Sequence, residues 1–400
     1  MPEKGHAQLI AKIIKEINDF GSIPFSRFME LVLYDHEYGY YMIEKIPSSV
    51  NGPRSRIGWQ GDFFTAPQVS SLLSRALVRQ VQEIDEFLGS PRGFCVVEMG
   101  GGEGNLAREF LLECSRQAPH FFQRLTYILV DRSPMMIQEQ QRNLASLIEG
   151  GANISWRASL DEFSQGEISG VVLSNELIDA FPVHRVQMKN GELQEFYVSV
   201  EAGRFIERLG SASTPELPQY FHALGMQLSE DMTTEINLGA LQWVKDVSRI
   251  VQQGVVITID YGHTAQDFYS SERSTGTLMC YVNHSVNTNP YESIGLQDMT
   301  AHVDFTSLAL TGQQVGLSVT GFTDLMHFFM GLGIEEMVGT QGPKSPDVQA
   351  ARHLLKPHGM GRTFKILFQH KSDSIPQLSG LRHQAFFHDA LFAGVKAGNC

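Results

Sequence analysis

Apolar residues recur at Leu9, Ile10, Ile13, Ile14 and Ile17, the spacing of an amphipathic helix, which the pattern predicts over residues 5–19. The same period predicts helices over Phe25–Leu33 and over Val69–Leu88, the latter carried by Leu72, Leu73, Leu77, Val81 and Ile84. Between these two lies a loop rich in Gly, Pro and Ser (46–67), long enough to act as a lid or to be an insertion.

From residue 93 the pattern changes. Short apolar runs at Phe94–Met99, Leu125–Asp131, Ile154–Arg157, Val171–Ser174 and Val255–Asp260 alternate with helical periods at Asn105–Arg116, Pro134–Ile148 and Asn237–Val251. Such runs suit strands buried on both faces, hence a parallel sheet covered by helices. The stretch 183–209 differs: two alternating segments flank Asn190-Gly191, a pair that supplies the positive φ angles of a type I′ turn, so a β-hairpin is expected, with Arg204–Leu209 as its third strand. Residues 210–236 look irregular, and 264–302 is a polar stretch. A helix is expected at 303–315, the last two sheet strands at Leu317–Thr320 and Phe364–Gln369, and helical segments at 323–337 and 346–356.

Composition narrows the class. Apolar residues make up 42% and charged residues 19%, the profile of a folded chain, and no run approaches the roughly 20 apolar residues of a membrane span. The net charge of −13 argues against general nucleic-acid binding and suits a cationic partner. Cys95, Cys114, Cys280 and Cys400 are scattered without a C-x-x-C pair, which argues for a reducing compartment and against a zinc site. The 14 histidines offer no helix-spaced pair beside a suitable third ligand, so no metal is expected. The first twenty residues lack both an uninterrupted apolar core and an Arg-rich, acid-poor character, so a structural helix and a cytoplasmic location are expected.

The sharpest chemical signal is VVEMGGGEGNLA. Glu98, Gly100, Gly102 and Gly104 form E-x-G-x-G-x-G between a predicted strand and a helix, where glycine lets the backbone turn tightly against a ligand. Two cofactors use this arrangement. Gly102, Gly104 and Ala107 also satisfy the dinucleotide fingerprint, so a nicotinamide-dependent oxidoreductase is the rival to a methyltransferase. Asp131, ending the next run, is the candidate for two ribose hydroxyls. It lies further along than the roughly 20 residues of the dinucleotide unit, and the acidic Glu98 also disfavours that rival.

The fourth run ends SNELIDAFPVHR. Strand C-termini face the ligand crevice in an open α/β sheet, which places Asn175, Glu176 and Asp179 where an acceptor would lie. Carboxylates there would bind a cationic amine or guanidinium, orient one nitrogen and localise its lone pair; the structural alternative is that Glu176 or Asp179 only caps or pairs within the loop.

Several segments together resemble the MidA family of methyltransferases, whose mitochondrial members assist assembly of respiratory complex I. They are YDHEYGYY (34–41), GDFFTAPQVS (61–70), VVEMGGGEGNLA (96–107), SNELIDAFPVHR (174–185), IDYGH (259–263), GTLMCY (276–281), QDMTAHVDFTSLA (297–309) and GMGRTFKIL (359–367), in order across most of the chain. The resemblance implies an α/β fold with a Rossmann-like class I methyltransferase sheet, a helical N-terminal region and α+β insertions. It implies S-adenosyl-L-methionine as donor, a protein substrate or assembly partner, and protein arginine as the leading acceptor. It also implies that Gly61 and Asp62 wall the cofactor, that Gly100, Gly102 and Gly104 form its floor, and that Glu98 lies near its methionine end while Asp131 holds its ribose. Asn175, Glu176 and Asp179 would face the acceptor; Asp260, Tyr261, Gly262 and His263 would point at the same crevice; His302 and Asp304 would line the pocket, unless Asp304 only caps the following helix. Tyr38, Tyr40 and Tyr41 stand either to stack on a ligand or, by default, to pack the N-terminal helices.

The chain departs from the family where Gly101 and Glu103 replace the usual Pro and Arg, and where Gln68 replaces Glu. These departures motivate the second reading, a cofactor-binding assembly factor with little or no turnover. The expected organisation is a helical N-terminal region with a cofactor-covering loop (1–92), a methyltransferase core (93–370) with insertions at about 183–236 and 264–302, and a tail (371–400).

Overall fold

The computed structural model describes residues 5–43, 71–282, 285–340, 342, 344–356, 359–383, 385 and 389–395. Its centre is an eight-stranded sheet. In chain order the seven long strands are β1 (Phe94–Met99), β2 (Thr126–Val130), β3 (Asn153–Arg157), β4 (Ile168–Asn175), β5 (Val251–His263), β6 (Ser318–Asp324) and β7 (Phe364–Lys371). Across the sheet they run β6-β7-β5-β4-β1-β2-β3, and Val303–Asp304 adds a short parallel pairing to the end of β5.

Strands β1 to β5 are parallel, as their unbroken apolar runs predict; β7 is reversed and pairs antiparallel with β5 and β6. Alternate residues serve the two faces. Val171, Leu173, Ile257, Ile259 and Phe368 pack with the helices Leu72–Phe87 and Asn105–Gln117. Val97, Val172, Val256 and Leu367 pack with Leu238–Ile250 and Phe305–Gln314. Each such side chain removed from water contributes about 1.5–3 kcal/mol, which makes this two-sided core the main stabilising element.

The chain moves outward in one direction from β1 to β2 and β3, and in the other from β4 to β5. The sheet therefore has its topological switch point between β1 and β4, where a crevice opens at the strand C-termini. Register puts Glu98 beside Leu129 and Leu173, so the glycine turn and the acidic turn leave the sheet side by side.

The N-terminal helices Ala7–Phe20 and Phe25–Tyr34 bury Leu9, Ile13, Ile17 and Phe28 against the insertions, meeting Val198, Cys280 and Met299. The expected hairpin is present as His184–Lys189 and Glu192–Glu201, with φ of 53° at Asn190 and 74° at Gly191, and Arg204–Ser211 is its third strand. Residues 210–236 are more regular than expected. A helix at Glu216–Leu224 buries Leu217, Tyr220, Phe221 and Leu224, and Thr233–Ile236 pairs with His184–Lys189. The helical period was there, but one two-turn segment among Ser, Thr and Pro is too short to stand out.

The expected helix at 323–337 is corrected. Strand β6 runs on to Asp324, paired with Lys365, and the helix divides into Leu325–Gly331 and Ile334–Val338 at Gly333, whose φ is 76°. Sheet pairing overrides the local helical period there. Among the described residues no helix is long and apolar enough to cross a membrane.

Candidate active site

A cavity of about 920 Å³ occupies the crevice at the switch point. Its floor is the glycine turn. Gly100, Gly102 and Gly104 have φ of 68°, 53° and 81°, the left-handed region in which a side chain is strained, and a Cβ on Gly100 would meet Leu177 Cδ1 at 2.6 Å. Gly104 caps the N-terminus of the helix Asn105–Gln117. The amide of Gly100 donates to Val130 O at 2.9 Å, tying the turn to the end of β2.

Asp131 follows directly. Its Oδ1 accepts from the Ser133 amide at 2.9 Å and its Oδ2 from Gln140 Nε2 at 3.1 Å. Gln140 is fully buried; the same nitrogen donates to Gly102 O at 2.8 Å, while its Oε1 accepts from Trp156 Nε1 at 3.0 Å. One turn on, Asn143 Nδ2 donates to Glu103 O at 2.9 Å. The helix Pro134–Glu149 thus holds both Asp131 and the glycine turn. Sequence reasoning missed Gln140 and Asn143; their i, i+3 spacing on a helix that follows the acidic residue was the available signal. Gln140→Ala is expected to cost about 1–2 kcal/mol of stability and to weaken cofactor binding several-fold; unchanged affinity for S-adenosylhomocysteine in a folded variant would deny it that positioning part.

Glu98 lies buried beneath the turn and accepts from the Tyr127 hydroxyl at 2.9 Å. Burial pushes its pKa up to about 7, against the pull of that hydrogen bond and with a further push from the Asp131 charge. A carboxyl whose pKa is raised in the folded state contributes stability that is complete below its unfolded value and lost as pH rises through about 7. The cofactor-free protein is therefore expected to lose roughly 2 kcal/mol from this group between pH 5.5 and 8. Chemical denaturation of the wild type and of Glu98→Gln at both pH values checks this, and parallel losses in the two proteins would remove Glu98 from the account.

The neighbouring wall of the cavity is built from the turn after β4. Asn175, Glu176 and Asp179 all border it. Glu176 holds φ of 49°, rare for a residue with a side chain, fixed by its amide donating to Ile259 O at 3.0 Å and by Asn175 Nδ2 reaching its Oε1 at 3.3 Å. Asp260 stands behind the turn: its Oδ2 accepts the amides of Ile178 at 3.0 Å and Asp179 at 3.3 Å. Asp179 Oδ2 accepts from the Tyr261 hydroxyl, and its Oδ1 is buried without a side-chain hydrogen-bond partner among the described residues. Burial pushes both Asp179 and Asp260 upward, with the Asp260 charge acting on Asp179 and the Glu176 charge on Asp260.

Seven of the ten residues given a cofactor- or acceptor-facing role from the sequence, Glu98, Gly100, Gly102, Asp131, Asn175, Glu176 and Asp179, border this one cavity. Gly104 supports it from the helix start, and Gly61 and Asp62 lie outside the described residues, as does Gln68. Tyr261 and His302 also border it, and His263 sits behind His302, with Nε2 and Nδ1 3.0 Å apart. Asp304 takes the capping alternative: its Oδ1 accepts the amides of Thr306 and Ser307, and its Oδ2 the Tyr220 hydroxyl. The tyrosines divide. Tyr40 is core, Tyr38 stacks on His6, and Tyr41 borders the cavity beside Tyr34. Tyr34 and Asp298 were not assigned to the site from the sequence, and Tyr41 was offered to it only as the alternative to packing, because only the fold brings them there.

A family model described as an S-adenosyl-L-methionine-dependent methyltransferase matches residues 72–323. The Drosophila melanogaster protein arginine methyltransferase NDUFAF7 homolog, mitochondrial, is 28% identical over 332 residues, covering 76% of this chain and 69% of its own length. Human protein arginine methyltransferase NDUFAF7, mitochondrial, is 23% identical over 427 residues, covering 98% and 89%. A Burkholderia thailandensis structure bound to S-adenosyl-homocysteine is similar with a TM-score of 0.83 at 28% identity, covering 95% of this chain and 96% of that one. The cytoplasmic expectation is overturned by these relatives, which are named as mitochondrial proteins. The N-terminal helix could not have decided the matter, since Leu9, Ile13 and Ile17 make it part of the packed body.

Proposed function

The chain belongs to the MidA family of S-adenosyl-L-methionine-dependent methyltransferases, and from that premise we propose that its acceptor is an arginine side chain of a protein. The observation that carries this reading is the charge of the cavity wall. Among the described residues nine acidic side chains border it (Glu30, Glu98, Glu103, Asp131, Asp161, Glu176, Asp179, Asp246 and Asp298) against one guanidinium, Arg132. A wall of that sign favours a cation, and the relatives named above are called protein arginine methyltransferases.

The residues fit the donor: Gly100 and Gly102 turn the backbone through positive φ at the cavity wall, and the Asp131 carboxylate borders the same cavity just past the end of β2. When bound, the donor supplies a methyl carbon on a positively charged sulfur. In this reading Gly100, Gly102 and Gly104 let the backbone approach it, and Asp131 accepts from its ribose hydroxyls. Asn175, Glu176 and Asp179 orient the acceptor. Arginine keeps its proton at any ordinary pH, so carboxylates must hold the cation and localise a lone pair on one nitrogen. As that nitrogen bonds to the methyl carbon, the carbon–sulfur bond breaks with its electron pair left on sulfur, and the nitrogen's proton passes to a carboxylate. Holding the two partners in line is the larger contribution.

Incubating the protein with methyl-labelled donor and matched arginine and lysine peptides, followed by hydrolysis, tests the reading. Labelled methylarginine supports it; label in methyllysine alone refutes it.

A further inference from the structure

Asp298 belongs to neither turn discussed above, yet it borders the same cavity. It opens the short strand Asp298–Thr300, directly across from Tyr281. Just past that strand, the Ala301 amide donates to Asp179 O at 2.9 Å, which fastens this insertion to the acidic turn. Asp298 Oδ1 accepts from the Tyr41 hydroxyl at 2.7 Å and from the Met299 amide at 2.9 Å. Tyr41 stacks on Tyr34 with centroids 5.5 Å apart, and the Tyr34 hydroxyl donates to Ala180 O at 2.9 Å. Two stretches distant in sequence, residues 34–41 and 298–301, therefore converge at the cavity, each tied to residues 179–180.

There Asp179 Oδ1 finds no side-chain hydrogen-bond partner among the described residues, although the residue is only 4% exposed. A buried acceptor of this kind is unfavourable unless a ligand brings a donor. A guanidinium brings five N–H groups in one plane and can satisfy carboxylates along two edges, whereas an ammonium is a compact charge without that fork.

We propose that Asp298 is a specificity-determining residue that, with Asp179, grips the acceptor guanidinium from two sides, Tyr41 acting as the positioning residue that aims it. This rests on the arginine reading above. It gives the N-terminal helical region and the 264–302 insertion a direct part in choosing arginine over lysine.

The test uses the full chain saturated with S-adenosylhomocysteine and titrated with N-acetylarginine amide, together with transfer assays on arginine and lysine peptides, for wild type, Asp298→Asn and Tyr41→Phe. Asp298→Asn is expected to weaken N-acetylarginine amide binding and raise the peptide KM by about tenfold or more, with kcat changed far less and S-adenosylhomocysteine affinity unchanged. Tyr41→Phe is expected to shift the same two quantities by a smaller factor, and it decides the matter if Asp298→Asn fails to fold. Arginine transfer with an unaltered KM in the folded variants overturns this inference alone. A wild type that binds no N-acetylarginine amide, or methylates lysine only, overturns the arginine reading and this inference with it.

Discussion

Replacing Glu176 by Gln is expected to lower methyl transfer by about 100-fold while leaving affinity for S-adenosylhomocysteine within twofold. Glutamine keeps the size of the side chain and can still meet Asn175, so the backbone at φ 49° suffers no new strain. What it loses is the charge that steadies a guanidinium and the lone pair that can receive a proton from it. The loss should fall on kcat, because the need for that charge peaks as the nitrogen gives up its proton. Single-turnover transfer to an arginine peptide separates this step from product release. A variant that turns over normally would move the proton acceptor to Asp179 or to a carboxylate deeper in the cluster, and the clamp at Glu176 would have to be abandoned.

Replacing Asp131 by Ala is expected to weaken S-adenosylhomocysteine binding by roughly 100-fold, because a carboxylate that accepts from two ribose hydroxyls loses two charge-assisted hydrogen bonds. The same carboxylate receives the Ser133 amide and Gln140, so a modest fall in melting temperature should accompany the loss. Asp131→Asn separates the two effects: an amide oxygen can keep the Ser133 bond but carries no charge for the ribose. Calorimetric titration of the three proteins should therefore rank wild type, Asn and Ala in that order of affinity. If Asn and wild type bind alike, the charge is not what matters at this position.

The two turns that build the site were legible in the sequence because each is a local device. Glycine adopts positive φ with the least strain where the backbone must turn tightly, so Gly100, Gly102 and Gly104 announce themselves by type and spacing. Asp131, Asn175, Glu176 and Asp179 were legible for a related reason: they follow apolar runs, and the C-terminal ends of parallel strands share one edge of the sheet. The two strand ends beside the switch point, β1 and β4, are also the two that carry the strongest chemistry.

Other features were hidden because their cause is not local. Strand β7 reads as an ordinary apolar run, and only its pairing between β5 and β6 reverses it. The helical period expected at 323–337 gives way at its start to β6, since Thr323 and Asp324 gain sheet partners in Ile366 and Lys365. Gln140 reads as one more polar residue on a helix surface, yet it is fully buried and spans the gap between Asp131 and Gly102.

From the sequence alone came the sheet, the glycine turn, the acidic turn and the family, each fixed by neighbours within a dozen residues or by motifs that stand in order. Only the tertiary structure decided which side chains finish the cavity. Tyr41 and Asp298 lie 257 positions apart and meet at 2.7 Å. Their meeting depends on how the N-terminal helices and the insertions pack over the sheet edge, and packing between distant segments follows from shape and burial, which leave no spacing along the chain to read.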